Sequence, residues 1–191
     1  MWMLRLEDII GIEVLSSDAK VIGTVEGVAV DTENWRVGAL KIMITKGVEA
    51  NLNVKKPLFG AARTAFHTDK VDSIKDVVKL KEPLTKLIQF TIDPSVLPNT
   101  GDIVNKRVVS NNGREIGISE SLSLEPEASW RVAFIEVEVG KEAFNDMKLK
   151  KGVLKKREVK LPTSLVGTVG DLIMLNTSEE ELGRILEKSP R

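Results

Sequence analysis

Apolar and polar residues alternate in short runs through most of the chain, the period of strands half-buried against a core. Ile12 and Val14 lead into a polar turn at Ser16-Ser17-Asp18. Residues 21–30 are rich in β-branched side chains and are interrupted by Gly23 and Gly27, which inside a strand mark sharp curvature or a bulge. After the turn cluster Asp31-Thr32-Glu33-Asn34, residues 35–45 alternate again. Leu40, Ile42 and Ile44 lie on one parity, and Val37, Ala39 and Met43 on the other, so this strand has one apolar face and a second that is largely covered. Residues 46–66 are less patterned: Leu52 and Val54 predict a further strand, and residues 55–60 a loop. Val71, Ile74, Val77, Val78 and Leu80 carry a strong apolar signal, with 76–80 read as a closing strand. Pro83 ends it, and Leu84, Leu87 and Ile88 fit one face of a short helix. Strands this short and closely spaced predict a small barrel rather than a helix-rich fold.

The pattern then starts again. Asp8-Ile9-Ile10 corresponds to Asp102-Ile103-Val104 at an offset of 94, as do Val14 to Val108 and Gly23 to Gly117. The turn before the tryptophan is one residue longer in the second copy, and beyond it the offset is 95. Trp35-Arg36-Val37 then corresponds to Trp130-Arg131-Val132, Asp76-Val77-Val78 to Asp171-Leu172-Ile173, and Leu80 to Leu175. A single insertion in a turn is where a duplicated unit tolerates a change of length. The sequence therefore predicts two copies of one small domain, residues 1–92 and 102–191. They are joined by a linker at 93–101, where Pro94, Pro98, Asn99 and Gly101 oppose continuous regular structure. At the end of the second copy Ser178 is a good N-cap with Glu181 three residues on, and Leu182, Ile185 and Leu186 share a face, which predicts a short C-terminal helix.

Each copy resembles a PRC-barrel domain, the small β-barrel named after the cytoplasmic part of the photosynthetic reaction-centre H subunit and found also at the C-terminus of the ribosome-maturation factor RimM. In the first copy the resemblance rests on Ile9 to Val14, Lys20 to Val25, the turn into Trp35-Arg36-Val37 and the apolar close at Leu80. In the second it rests on Asp102-Ile103-Val104, Gly113 to Gly117, Trp130-Arg131-Val132 and Val169 to Ile173. The second copy departs from the first at Asn105, opposite Gly11, at Lys106, opposite Ile12, and in having Pro126 in its turn. The resemblance implies a mainly β fold of two tandem barrels and an adaptor rather than an enzyme. Short archaeal members with no other domain resemble cell-division proteins that associate with the SepF membrane anchor and, through it, with the FtsZ ring. A SepF-like partner, with a homo-oligomer as a further possibility, is the expectation that follows; an RNA- or ribosome-associated module like the RimM barrel is the alternative.

Composition narrows the chemistry. The 28 basic and 28 acidic residues cancel, with 13 of each up to Ser95 and 15 of each beyond. Neither half is the strongly basic module of a general nucleic-acid binder. The absence of cysteine removes disulfides, thiolate metal sites and thiol catalysis. No run approaches the ~20 apolar residues that span a bilayer, and the N-terminus lacks a signal-peptide apolar region. The chain reads as soluble and cytoplasmic, without a cofactor or metal.

His67 is the sole histidine and has no ligand cluster at metal spacing. Asp76 and Asp171 are equivalent and read as turn residues before the last strand. The segment from Gly23 to Gly27 lacks the Gly-Lys-Ser/Thr of a phosphate loop and is a curved strand. The basic run at 148–160, which includes Lys155, Lys156 and Arg157, reads either as a patch for RNA, an acidic protein or anionic lipid heads, or as a strand edge protected by lysines, and the second reading is preferred. Trp35-Arg36 and Trp130-Arg131 are the remaining candidates for partner binding, since Trp and Arg concentrate in binding hot spots; the competing reading has each ring plugging its barrel. Where the copies differ (the basic run, residues 55–66 and the termini) function is expected to lie.

Overall fold

The computed structural model describes residues 2–149 and 157–188. Its contacts separate into two units. The first holds the chain through Thr100 together with Glu125–Arg131, and the second holds Gly101–Leu124 with the chain from Val132 onward.

The first unit opens with β1 (Leu4–Arg5) and the one-turn helix α1 (Leu6–Ile9), whose Leu6 and Ile9 are buried. The strands β2 (Glu13–Leu15), β3 (Val21–Asp31), β4 (Arg36–Ile44), β5 (Arg63–His67), β6 (Val71–Ile74) and β7 (Val77–Leu80) follow, then α2 (Leu84–Leu87). Their sheet runs β5-β4-β3-β2-β7-β6, antiparallel except at the parallel β2–β7 pair. Strict alternation fails along β3 because the register shifts between Val25 and Gly27 and again between Ala29 and Val30. These bulges let Ile22, Val25 and Val28, which are not on one parity, all be buried. Gly23 meets the opposite demand: a Cβ there would overlap the Met43 carbonyl of β4.

Two expectations for residues 46–66 are corrected. Leu52 and Val54 form no strand. Their N–H groups donate locally, to Val48 O at 3.3 Å and Glu49 O at 3.0 Å, and Leu52 is buried from within a turn. Burial of a single apolar side chain had mimicked a strand signal. Conversely β5 was not anticipated, because Arg-Thr-Ala-Phe-His has weak alternation. It is covered on both faces, so Thr64, Ala65 and Phe66 are consecutively buried.

The segment at 93–101 contains a 3-10 turn at Pro94–Val96, and its first eight residues belong to the first unit. Ile92 bridges Ala65, and Ile92 and Leu97 pack on Ala29, Ala39 and Ala65. Buried Lys41 donates to Leu97 O at 3.2 Å and Asn99 Oδ1 at 2.8 Å, and Thr100 Oγ1 donates to Val28 O at 2.9 Å. Residues 92–100 thus form a strap fastened along β3, β4 and β5.

The second unit contains β8 (Arg107–Val109), β9 (Glu115–Glu125) up to Leu124, β10 (Arg131–Val139) from Val132, α3 (Lys141–Asp146), β11 (Glu158–Pro162), β12 (Val166–Val169), β13 (Ile173–Leu175) and α4 (Glu179–Lys188). Its sheet order, β11-β10-β9-β8-β13-β12, is that of the first unit strand for strand. Gly117 repeats the close approach of Gly23, here to the Glu138 carbonyl. Thr68 Oγ1 donates to Val37 O at 2.9 Å in the first unit, and Thr163 Oγ1 donates to Val132 O at 2.9 Å in the second. Gly11 (φ +88°) and Asn105 (φ +64°) are both left-handed, so the substitution at this position keeps the conformation, Asn being the non-glycine residue that tolerates it well. Among the described residues no ladder joins β5 to β6 or β11 to β12, so each barrel-like sheet is left open.

The C-terminal helix α4 forms as expected. Glu181 N–H donates to Ser178 Oγ at 3.3 Å, while the Glu181 carboxylate accepts from Thr177 Oγ1 at 2.9 Å. Gly183 lies against α3's end, where a Cβ would stand 2.8 Å from Met147 O.

Candidate functional site

The two Trp-Arg pairs follow equivalent turns and end in the same unusual backbone. Trp35 has φ +50° and Trp130 φ +60°, left-handed conformations that are costly for a bulky side chain. Their turns are built differently. In the first, Asp31 accepts from Asn34 Nδ2 at 2.7 Å and from Glu33 N–H at 2.9 Å. In the second, a 3-10 turn at Pro126–Ala128 leads to Ser129, also left-handed at φ +56°.

All four residues fall in the first unit, because the turn Glu125–Arg131 belongs to it. Val37 N–H donates to Trp130 O at 2.9 Å, and Arg131 is the antiparallel register partner of Arg36. Their environments separate them. Trp130 is 8% exposed, and Arg131 places Nε at 2.7 Å and Nη2 at 2.5 Å from Oε2 of Glu125, a carboxylate only 2% exposed. Trp35 is half-buried and Arg36 exposed. Sequence equivalence gave no means of distinguishing the pairs, since the difference lies in what each turn packs against.

Lys155 and Lys156 lie outside the described residues. Arg157 is half-buried, and its Nε donates to Val139 O at 2.9 Å while its own carbonyl accepts from Val139 N–H at 2.7 Å. Lys160, on β11, has Nζ 3.9 Å from Oε1 of the buried Glu136, which accepts from Ser123 Oγ at 2.6 Å. This end of the basic run is thus joined to its own sheet.

Acid–base candidates are accounted for in structural terms. His67 ends β5, exposed, with Nδ1 3.3 Å from Gly38 O. It lies with Asp31, Leu97 and Pro98 along a shallow, mainly apolar groove beside the strap. Hydrogen bonds from Asn34 and Glu33 hold the Asp31 carboxyl below its ordinary range. Ser16 and the Leu84 N–H do the same for Asp18, Ser95 for Asp93, and its own and the Gly47 N–H for Glu49. Glu179, at the start of α4, is lowered by its own N–H, Asn112 and Arg114. Each of these carboxylates fastens a turn or helix start. Asp76 and Asp171 lie exposed in the turns before β7 and β13. Among the described residues no group of three or more His, Asp or Glu side chains is arranged to hold a metal ion, and no helix is long and apolar enough to cross a membrane.

Comparison with curated proteins finds no match. Among solved structures, a protein assigned as the 16S ribosomal RNA processing protein RimM of Pseudomonas aeruginosa is similar at 18% identity over 80% of this chain and 96% of its own. The TM-score of 0.27 is too low to superpose the two folds. The family model that matches is that of the PRC-barrel domain, over residues 1–86. That span takes in β1 to β7 with the first Trp-Arg turn, so residues 1–86 match the PRC-barrel domain model.

Proposed function

We propose that the chain is a non-enzymatic adaptor that works through protein–protein contacts centred on Trp35 and Arg36. The observation that carries this reading is the unequal treatment of the two Trp-Arg pairs. Trp130 is packed away and Arg131, though exposed, is tied to a buried carboxylate, whereas Trp35 is left partly in water and Arg36 is exposed. Trp and Arg are the residue types that dominate binding hot spots. The resemblance to archaeal PRC-barrel division proteins makes a SepF-like anchor the first partner to test, with self-association as part of the same reading. The structural use of every shifted carboxylate supports an interaction module over an acid–base catalyst.

The alternative, an RNA- or ribosome-associated module, draws on the basic residues at 148–160 of the sequence. It requires salt-dependent RNA binding that is lost when Lys155 and Lys156 become glutamate. The adaptor reading is tested by titrating purified wild-type and Trp35→Ala/Arg36→Ala protein with a SepF-like protein from the same cell. Binding weakened at least tenfold in a variant that still melts cooperatively supports it; equal binding by the two, or none by either, removes it.

A further inference from the structure

The loop between β4 and β5 carries an apolar tip that the fold does not use. Leu58 is 97% and Phe59 92% exposed, far beyond any other large apolar side chain described except Val96. They stand between Pro57 and Gly60, whose φ of +87° turns the chain back toward β5. Isolated apolar side chains in water are ordinary; two neighbours at a loop end, with neither covered, contribute nothing to the stability of this chain. The strand ends nearest this loop also leave Val21 and Met43 about half in water, each 40% exposed.

The charge around the tip is one-sided. Residues 46–63 contain Lys46, Lys55, Lys56 and Arg63 against one acid, Glu49. Glu49 accepts from Gly47 N–H at 2.6 Å, and Arg63 pairs at 2.9 Å with Glu26 of β3. Lys55 and Lys56 are exposed and are separated from the apolar pair by Pro57 alone.

We propose that this tip inserts into an anionic lipid surface. Leu58 and Phe59 enter the boundary between headgroups and acyl chains, while Lys55 and Lys56 remain at the level of the anionic headgroups. A bilayer fits this arrangement better than a protein groove does. The tip is two neighbouring apolar side chains that are almost wholly exposed, with its cations on the chain just before it. A lipid surface supplies an apolar layer beneath a negative one, at the separation over which lysine side chains reach back to water. The inference is separate from the partner contact at Trp35, and would place the adaptor at a membrane face.

The test uses the full chain sedimented with vesicles of phosphatidylcholine alone and of phosphatidylcholine mixed equally with phosphatidylglycerol. The expected result is binding to the mixed vesicles only, weakened as salt is raised from about 0.1 M to about 0.5 M. Leu58→Ser/Phe59→Ser and Lys55→Glu/Lys56→Glu should each bind at least tenfold more weakly, with unchanged melting because all four side chains are exposed. Absence of binding to mixed vesicles by the wild type overturns the proposal. So does undiminished binding by the Leu58→Ser/Phe59→Ser variant, which would move the lipid contact to another basic segment.

Discussion

Gly23 and Gly117 occupy the same place in two ladders, and in both the facing carbonyl leaves no room for a Cβ. Gly23→Ala and Gly117→Ala should each cost about 3 kcal/mol or more, since backbone rather than a flexible side chain must move, and thermal melts would show it. At the Trp-Arg turns, Arg131→Gln strips its partner from the buried Glu125 and should destabilise by about 1–3 kcal/mol. Arg36→Gln, at an exposed position, should stay within about 0.5 kcal/mol of wild type. Chemical denaturation of the two variants checks the contrast. Asp18 offers a pH-dependent test. It accepts from Ser16 Oγ at 2.6 Å and from Leu84 N–H at 3.0 Å, and its carboxyl lies below the ordinary 3.8. An acid lowered by folding contributes its stability in full above the unfolded value and loses it as pH falls through the folded one. The gap between wild type and Asp18→Asn should therefore be constant near neutrality and close below pH ~4, as followed by melting temperature against pH.

Elements with regular alternation were legible; those whose pairing depends on distant chain were not. β2, β3, β4, β7, α2 and α4 follow from period, turn residues and caps. The strand β5 escaped because both its faces are covered, which erases alternation, and Leu52 misled because a turn can bury one side chain as deeply as a strand can. The strap is the instructive case. Pro94, Pro98 and Gly101 correctly oppose regular structure, yet they say nothing of docking, which is carried by Lys41, Thr100 and the small side chains Ala29, Ala39 and Ala65. Lys41→Met should release Leu97 and Asn99 while keeping the sheet. Amide exchange is expected to quicken at residues 96–100 well before it does in the middle of β3 and β4. The candidate site was half legible: equivalence found the two Trp-Arg pairs, and only packing showed that Arg131 answers a buried carboxylate while Arg36 does not.

At the scale of the molecule, one strand order serves two units, and the same glycine contact and threonine bond recur in each. Repetition of this kind identifies what a scaffold needs, and so directs the search for function to the places where equivalent residues are treated differently. What distinguishes the two sequence copies is then informative: Trp35 left partly in water where Trp130 is buried, and an apolar, lysine-flanked loop between β4 and β5 in place of the region that contains α3 between β10 and β11. The central proposal is that this chain is an adaptor recognised through Trp35 and Arg36. The most direct measurement is the dissociation constant for a SepF-like protein of the same cell, compared between wild type and Trp35→Ala/Arg36→Ala. The adaptor account predicts saturable binding by the wild type and at least a tenfold loss in the folded variant; the same constant for both proteins, or no binding by the wild type, would contradict it.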